Sequence, residues 1–314
     1  MNPEVQSPPQ VTVCIVTRNR KDDVLKAIES ALAQNYPGLE VRVYDNGSTD
    51  GTWESIQSTF PAVAVTREKE NAGAAKQRNR CFRESAAKYI FSMDDDSYFT
   101  DPDTVGAAVA VIESHRDAAV LAMPFVEPAQ RGMRTWTPPA DPDNLGVPVR
   151  SFVACACLLR RDAVIAAKGY REFFEQWGEE RDLSIRLMNR GFSILFARTP
   201  PLVHVGSMIR DRGKMEELGV RNTILFDWLN LPALVVVPRL FADAVRLFAH
   251  KLSLKNLAAR AGYVMRGFLY AVRMSGNRSA VSRNTYRRYR ILPGHGPLSA
   301  PENLPPPLRR NITT

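Results

Sequence analysis

The sequence predicts an α/β fold: a mostly parallel central sheet flanked by helices. Three observations predict it. Short β-branched apolar runs recur through the first hundred residues, segments of helical period lie between them, and polar clusters follow directly where the runs end.

Val11–Thr17 is β-branched and apolar, a buried strand. Residues 22–34 carry Val24, Leu25, Ile28 and Leu32 at helical spacing, and Pro37 and Gly38 stop the helix. Residues 41–44 form a second strand, Asn46-Gly47-Ser48 a turn, Thr52–Thr59 a short helix and residues 63–66 a third strand. A helix over 73–85 and a fourth strand over 89–93 follow. In sheets of this kind ligands sit at the carboxyl ends of the strands. The places to inspect are therefore 18–20, 45–50, the approach to Asn71, and 94–96.

Residues 125–148 carry five prolines (Pro128, Pro138, Pro139, Pro142, Pro148) and read as a long loop of the kind that serves function. Strand character resumes at 151–159. A helix over 179–190 ends at Gly191, the C′ position, and a strand over 192–197 follows. From Arg221 the pattern is helical only, interrupted at Pro232 and Pro238. The tail holds six prolines from Pro293 and is expected to be poorly ordered. The expected division is a flexible 1–10, an α/β domain over 11–207, a basic helical extension over 208–290 and a loose tail over 291–314.

A chain of 314 residues with 45% hydrophobic content buries a core without staples. Its four cysteines form no CxxC pair, which excludes a zinc ribbon and a redox motif of that type. They read as small buried thiols, and Cys155 and Cys157, two apart, are expected to share a strand face. Residues 1–10 lack a charged start followed by an apolar stretch, and no uninterrupted apolar run reaches about 18 residues, so the expectation is no signal peptide, no spanning helix and a cytoplasmic location. The net charge of +9 is uneven: residues 208–290 hold sixteen Lys and Arg against five Asp and Glu, leaving the rest slightly acidic. A basic end implies an anionic partner, nucleic acid or a membrane surface.

Four clusters carry chemistry. Phe91-Ser92-Met93-Asp94-Asp95-Asp96 runs an apolar strand into three carboxylates. Side chains two apart on a strand point the same way, about 6.6 Å apart, so Asp94 and Asp96 can face one pocket. Such a pair repels unless a cation lies between, and a hard ion such as Mg²⁺ or Mn²⁺ fits oxygen ligands. The bland alternative is a solvated acidic turn. Asp45 opens the donor-rich turn Asp45-Asn46-Gly47-Ser48-Thr49-Asp50-Gly51, able to accept from a nucleobase or ribose, or merely to bond its own backbone. Asn71-Ala72-Gly73 with Arg78 and Asn79 opens a helix, where phosphate is favoured, or a charged surface helix. Trp177-Gly178-Glu179-Glu180-Arg181-Asp182 puts two glutamates at a helix start, where the dipole favours the charged form that a general base needs; Asp182 and Arg186 pair at i, i+4.

In this order the clusters resemble glycosyltransferase family 2, inverting enzymes of the GT-A fold, including rhamnosyltransferase-like members with a helical C-terminal extension. The resemblance covers residues 11–207: Thr17, Asn19 and Arg20 after the first strand; Asp45, Asn46, Ser48 and Asp50; Asn71, Gly73, Arg78 and Asn79; a DxD motif at Asp94 and Asp96; and Glu179, Glu180, Asp182 and Leu183 for the late ED-x-DL motif. It implies donor contacts from Thr17, Asn19, Arg20, Asp45, Asn71, Gly73, Arg78, Asp94 and Asp95, a metal on Asp96 with His204 beside it, and Glu180, or else Glu179, as base. Many members carry Asp where Glu180 stands, which leaves both glutamates in play. The reaction implied moves a sugar from a nucleoside-diphosphate-sugar, with Mg²⁺ or Mn²⁺, to a lipid-linked or cell-surface glycan, and leaves no covalent intermediate. The basic helices, with interleaved apolar residues, read as peripheral on the cytoplasmic face of an anionic membrane or as an ordinary cap on the core. Trp177 and Trp228 read as buried packing, otherwise as acceptor or interface contacts. Two rivals stand beside this. A nucleotidyltransferase that makes nucleotide sugars would want a glycine-rich loop, absent from Thr17-Arg18-Asn19-Arg20. A nucleic-acid binder would want a zinc, RNP or helix-turn-helix signature, also absent, so no nucleic-acid partner is expected.

Overall fold

The computed structural model describes residues 10–128, 135–140, 143, 146–206, 212–249, 257–301 and 303–309. The flexible start expected at 1–10 lies, but for Gln10, outside them, as does part of the 125–148 loop. In chain order the elements are β1 (Val11–Thr17), α1 (Lys21–Leu32), β2 (Leu39–Asp45), α2 (Thr52–Thr59), β3 (Ala64–Arg67), α3 (Ala74–Glu84), β4 (Tyr89–Asp94), β5 (Ser97–Tyr98), α4 (Thr104–Ser114), β6 (Ala118–Ala122), β7 (Phe125–Val126), β8 (Val147–Pro148), β9 (Ala156–Arg160), α5 (Arg161–Ala166), α6 (Glu179–Asn189), β10 (Ser193–Phe196), β11 (Leu202–His204), α7 (Arg212–Asn230), α8 (Ala233–Ala249), α9 (Leu257–Arg273) and α10 (Arg283–Ile291).

Eight strands form one sheet in the order β3-β2-β1-β4-β9-β6-β10-β8. β9 runs against both neighbours and β8 against β10; the remaining pairings are parallel. Strand alternation splits the core in two. Val11, Val13 and Ile15 of β1 pack with Val24 and Ile28 of α1 and Val105 and Ile112 of α4, whereas Cys14 and Val16 face Phe82 of α3 and the residues of α6. A second, three-stranded sheet, β5-β11-β7, stands beside the first.

Several expectations need correction. Cys155 precedes β9, and it and Cys157 fall in opposite core layers rather than on one face, although all four cysteines are buried and free. Pro238 sits inside α8 and does not interrupt it; the helix forgoes one backbone hydrogen bond there. Of the C-terminal helices, which could also have been an ordinary cap on the core, α7 packs there: Val220, Ile224, Leu225 and Phe226 share the core layer of α3 and α6. Residues 293–298 of the tail are held rather than loose. Arg150 and Trp136 donate backbone bonds to Pro293 and Pro297, Leu298 bridges Val126, and His295 sits in a box of Phe125, Trp136 and Phe196 rings at 5.7, 5.0 and 5.4 Å. Trp177 is 39% exposed instead of packed, while Trp228 is partly buried and donates from Nε1 to Ser275 Oγ at 3.0 Å.

Candidate active site

The register of the sheet gathers the site. β1 pairs Thr17 with Asp45 on one side and Val16 with Asp94 on the other, so the ends of β2 and β4 flank the end of β1. At the β2 end, Asp45 is fully buried; its Oδ1 accepts from the Ser48 N–H at 2.9 Å, Arg67 Nε lies 3.5 Å from Oδ2, and Oδ2 has no hydrogen-bond partner. Gly47 is forced: its φ is +79°, and a Cβ there would lie 2.7 Å from the Glu70 carbonyl carbon. Asn19 holds the same turn, its N–H donating to Ser48 Oγ at 2.9 Å and its Oδ1 accepting from the Thr49 N–H at 2.8 Å. Asn71 Oδ1 accepts from Asn46 Nδ2 at 2.8 Å and from the Gly73 N–H at 3.1 Å. The side-chain oxygens of Asn19 and Asn71 are thus engaged in shaping loops, and Asp45 Oδ2 is the acceptor left over.

β4 ends at Asp94, and Asp95 and Asp96 form a turn into β5, so Asp94 and Asp96 converge through that turn rather than through strand alternation. The small sheet brings in His204. β11 pairs His204 with Ser97, and the Val205 N–H donates to the Asp96 carbonyl at 2.9 Å. His204 Nε2 lies 3.2 Å from Asp96 Oδ1 and 3.7 Å from Asp94 Oδ2. One ligand atom from each of Asp94, Asp96 and His204 falls within 4.8 Å of the other two. Two carboxylate oxygens and one imidazole nitrogen suit a divalent ion that takes its remaining ligands from substrate oxygens or water.

Cations already crowd this acid cluster. Arg20 bonds Asp96 at 2.5 Å and lies 3.8 Å from Asp95, and Arg78 of α3 bonds Asp94. Burial penalises the Asp96 charge, but His204 and Arg20 outweigh it and hold the carboxyl down at about 2. Asp95, which accepts from the Arg18 N–H at 3.4 Å, goes the other way: burial and its acidic neighbours push it up to about 7. Burial alone would lower His204, yet contact with Cys155, Asp96 and Glu127 raises it far above the ordinary imidazole range. Burial also opposes the charge on Arg78, and Asp94, Tyr170, Glu179 and Glu180 more than offset it.

Glu179 and Glu180 start α6, after Gly178 at φ 137°. The sequence argument let the helix dipole set their charge; burial wins instead. Desolvation, then the Glu180 charge, raise Glu179 to about 8, and burial raises Glu180 as well. The two are not equivalent. Glu179 is buried with Oε2 unpartnered, while Glu180 is only partly buried and its Oε1 meets the Ala154 N–H at 3.4 Å. Both carboxyls are thus held above the ordinary range, and the pair titrates as a unit. Asp182, by contrast, is structural, bound by Arg171 and Arg186 at 2.8 Å each and by Asn230 Nδ2 at 2.8 Å.

The structure therefore joins Arg20, Asp95, Asp96, His204, Asp94, Arg78 and the glutamate pair in one network, and sets Asp45, Asn19 and Asn71 beside it across the end of β1, where the buried Thr17 Oγ1 has no partner. Sequence reasoning missed Glu127, 2.8 Å from His204 Nδ1 though out of line for a hydrogen bond. The signal was there: Phe125-Val126-Glu127 is another apolar strand running into a carboxylate.

Comparison with known proteins agrees with this geometry. The Glycosyl transferase family 2 model matches residues 12–166. EpsE of Bacillus subtilis, which carries the name of a glycosyltransferase, is 28% identical over 199 residues, 60% of this chain and 70% of that one. WfaP of Escherichia coli, named a UDP-Glc:α-D-GlcNAc-diphosphoundecaprenol β-1,3-glucosyltransferase, is 32% identical over 90 residues, 28% of this chain and 36% of that protein, so the match spans about a third of it. The mannosyltransferase PcManGT of Pyrobaculum calidifontis, solved with GDP-Man and Mn²⁺, superposes with a TM-score of 0.54 at 16% identity, covering 91% of this chain and 84% of that one, a likeness of fold. Residues 12–166 therefore carry a glycosyltransferase family 2 domain, and the relatives named as glycosyltransferases and the shared GT-A fold agree with it.

Proposed function

We propose that this enzyme transfers a sugar, with inversion, from a nucleoside-diphosphate-sugar to an acceptor hydroxyl, with Mg²⁺ or Mn²⁺ held by Asp94, Asp96 and His204. The observation that carries this reading is the convergence of those three donors beside Arg20, Arg78 and the glutamate pair. Asp45 Oδ2, buried and without a hydrogen bond, accepts from the base or ribose of the donor. Arg20 and Arg78 keep the acid cluster from repelling the donor's phosphates, and Asp94 orients sugar hydroxyls. Glu180 takes the acceptor's proton as its oxygen attacks the anomeric carbon; the bond to the diphosphate breaks on the opposite face, and its electron pair leaves with the nucleoside diphosphate. Arg78 favours the charged form of Glu180 that this step needs. When bound, the divalent ion acts as a Lewis acid toward the departing diphosphate. The exposed Trp177 offers a flat face to an acceptor sugar next to the base.

The acceptor is a lipid-linked or cell-surface glycan reached from the cytoplasmic face of an anionic membrane. Support comes from α8, whose Leu234, Val237, Phe241 and Val245 recur at helical spacing and are exposed, Leu234 and Phe241 to 73% each. Met265, Leu269 and Val272 repeat the pattern on α9, and Arg246 and Arg266 supply exposed positive charge. No helix among the described residues is long and apolar enough to cross a membrane. WfaP's lipid-diphosphate acceptor is of the class this surface suits. A screen of UDP-, GDP- and dTDP-sugars with Mn²⁺ or Mg²⁺, following slow donor hydrolysis, tests the reading. One donor should turn over only with metal; hydrolysis of none, or turnover in excess chelator, refutes it.

A further inference from the structure

Away from this site, a cavity of about 440 Å³ opens among α6, α7, α8, α10 and the segment at Arg150. That is an ordinary size for a small-ligand site. Its charge is unbalanced. Arg150, Arg181, Arg239, Arg246 and Arg290 line it against only two carboxylates, Asp227 and Asp243. Both carboxylates are buried and already committed: Arg239 Nε lies 2.7 Å from Asp243 and 3.7 Å from Asp227, and Arg246 lies 2.8 Å from Asp243. Burial and the adjacent Asp243 raise Asp227 well above the usual carboxylate range, so near neutral pH the acidic pair carries less than its formal charge.

Three arginines are left over. Among the described residues, Arg150, Arg181 and Arg290 make no ion pair. Arg181 lies over the Phe226 ring at 4.2 Å and donates to the Asn222 carbonyl at 3.3 Å, with Nε buried and unpartnered. The arginines that tie Asp182 are used differently. Around Asp182, the spare N–H groups of Arg171 and Arg186 donate to the carbonyls of Asn277, Ala167 and Gly169. Like charges brought together around a cavity repel, and a polyanion with oxygens matched to guanidinium forks relieves that repulsion.

We infer that this cavity is a second anion site, which takes a phosphate or diphosphate group. Two of its lining residues lie close in sequence to the glutamate pair and its contacts: Arg181 directly follows Glu180 on α6, and Ser151 lies just ahead of Ala154, whose N–H meets Glu180. On α8, Arg239, Asp243 and Arg246 face the cavity, while Leu234, Val237, Phe241 and Val245 lie roughly half a turn away at about 100° per residue. The diphosphate therefore has two sources, the headgroup of a membrane-borne acceptor or a free anion.

The test is a calorimetric titration of the full chain with inorganic pyrophosphate in excess chelator, for wild type, Arg150→Ala/Arg290→Ala and Asp96→Ala. Both arginines are exposed, so the double variant should fold, and circular dichroism checks that it does. The site predicts binding by wild type and Asp96→Ala alike, weakened about tenfold or more in the arginine variant, the loss of roughly 1.4 kcal/mol or more. No binding by wild type, equal binding by a folded arginine variant, or loss in Asp96→Ala overturns it. Flotation with neutral vesicles, with and without polyprenyl diphosphate, separates the sources. Arginine-dependent recruitment by the doped vesicles identifies a lipid headgroup, and pyrophosphate binding without such recruitment a free anion. Because no step measures transfer, failure of the sugar-transfer reading leaves this result unaffected.

Discussion

Asn222 of α7 donates its side-chain amide to the carbonyl of Trp177 at 3.0 Å, and the same nitrogen reaches the carbonyls of Phe174 at 2.9 Å and Gln176 at 2.6 Å. The loop so held is strained: Glu175 and Trp177 sit at φ of 63° and 60°, a region that disfavours side chains. It leads directly into Glu179 and Glu180. The helical extension thus fixes the segment that leads into the glutamate pair.

Asn222→Ala leaves those three carbonyls without the amide. It should cost about 2 kcal/mol in urea unfolding, and it should depress transfer more than donor hydrolysis, since the loop serves the acceptor side. Unchanged stability would mean the amide contacts are incidental.

The two glutamates should separate by substitution. Glu180→Gln should lower transfer by about 10² to 10⁴ while donor affinity is kept, whereas Glu179→Gln should retain most transfer. Steady-state kinetics with a functional acceptor decides; the reverse ranking would move the base to Glu179.

Glu179 also makes a pH prediction. Its folded pKa, raised to about 8, exceeds its unfolded value of about 4.3, so the stability it contributes is complete below the unfolded value and is lost as pH rises through about 8. Wild type should therefore lose Tm relative to Glu179→Gln between about pH 5 and pH 8.5. A constant gap would show that the carboxyl is not desolvated.

Much of this was legible in advance, for identifiable reasons. β1 and α2 match the expected boundaries because both end at strong local signals, a polar cluster after Thr17 and Gly51 before Thr52. The Asp94 and Asp96 pairing was foreseen, but not its cause, because a turn and a continuing strand look alike in Asp94-Asp95-Asp96. α4 and β6 passed unremarked because Val105 to Ala122 is an alanine- and valine-rich stretch with no clean period. Asn222 was invisible for another reason: it matters through a contact with Trp177, distant in sequence, that no local pattern encodes. The tail misled because prolines lower local order only where nothing receives them, and here aromatic rings receive His295.

The apolar stripe on α8 makes a surface prediction. Phe241→Asp should reduce flotation with anionic vesicles several-fold without changing the melting temperature, because Phe241 is exposed. Equal flotation would assign the stripe some other role.

The most direct test of the central claim is a titration of Mn²⁺, followed by electron paramagnetic resonance, with and without the nucleoside diphosphate of the preferred donor. Wild type should bind Mn²⁺ more tightly when the nucleotide is present, and Asp96→Ala should lose both the ion and the enhancement. Nucleotide binding that is unchanged by chelator, or Mn²⁺ held equally well by Asp96→Ala, would contradict a diphosphate bound through a metal at Asp94, Asp96 and His204.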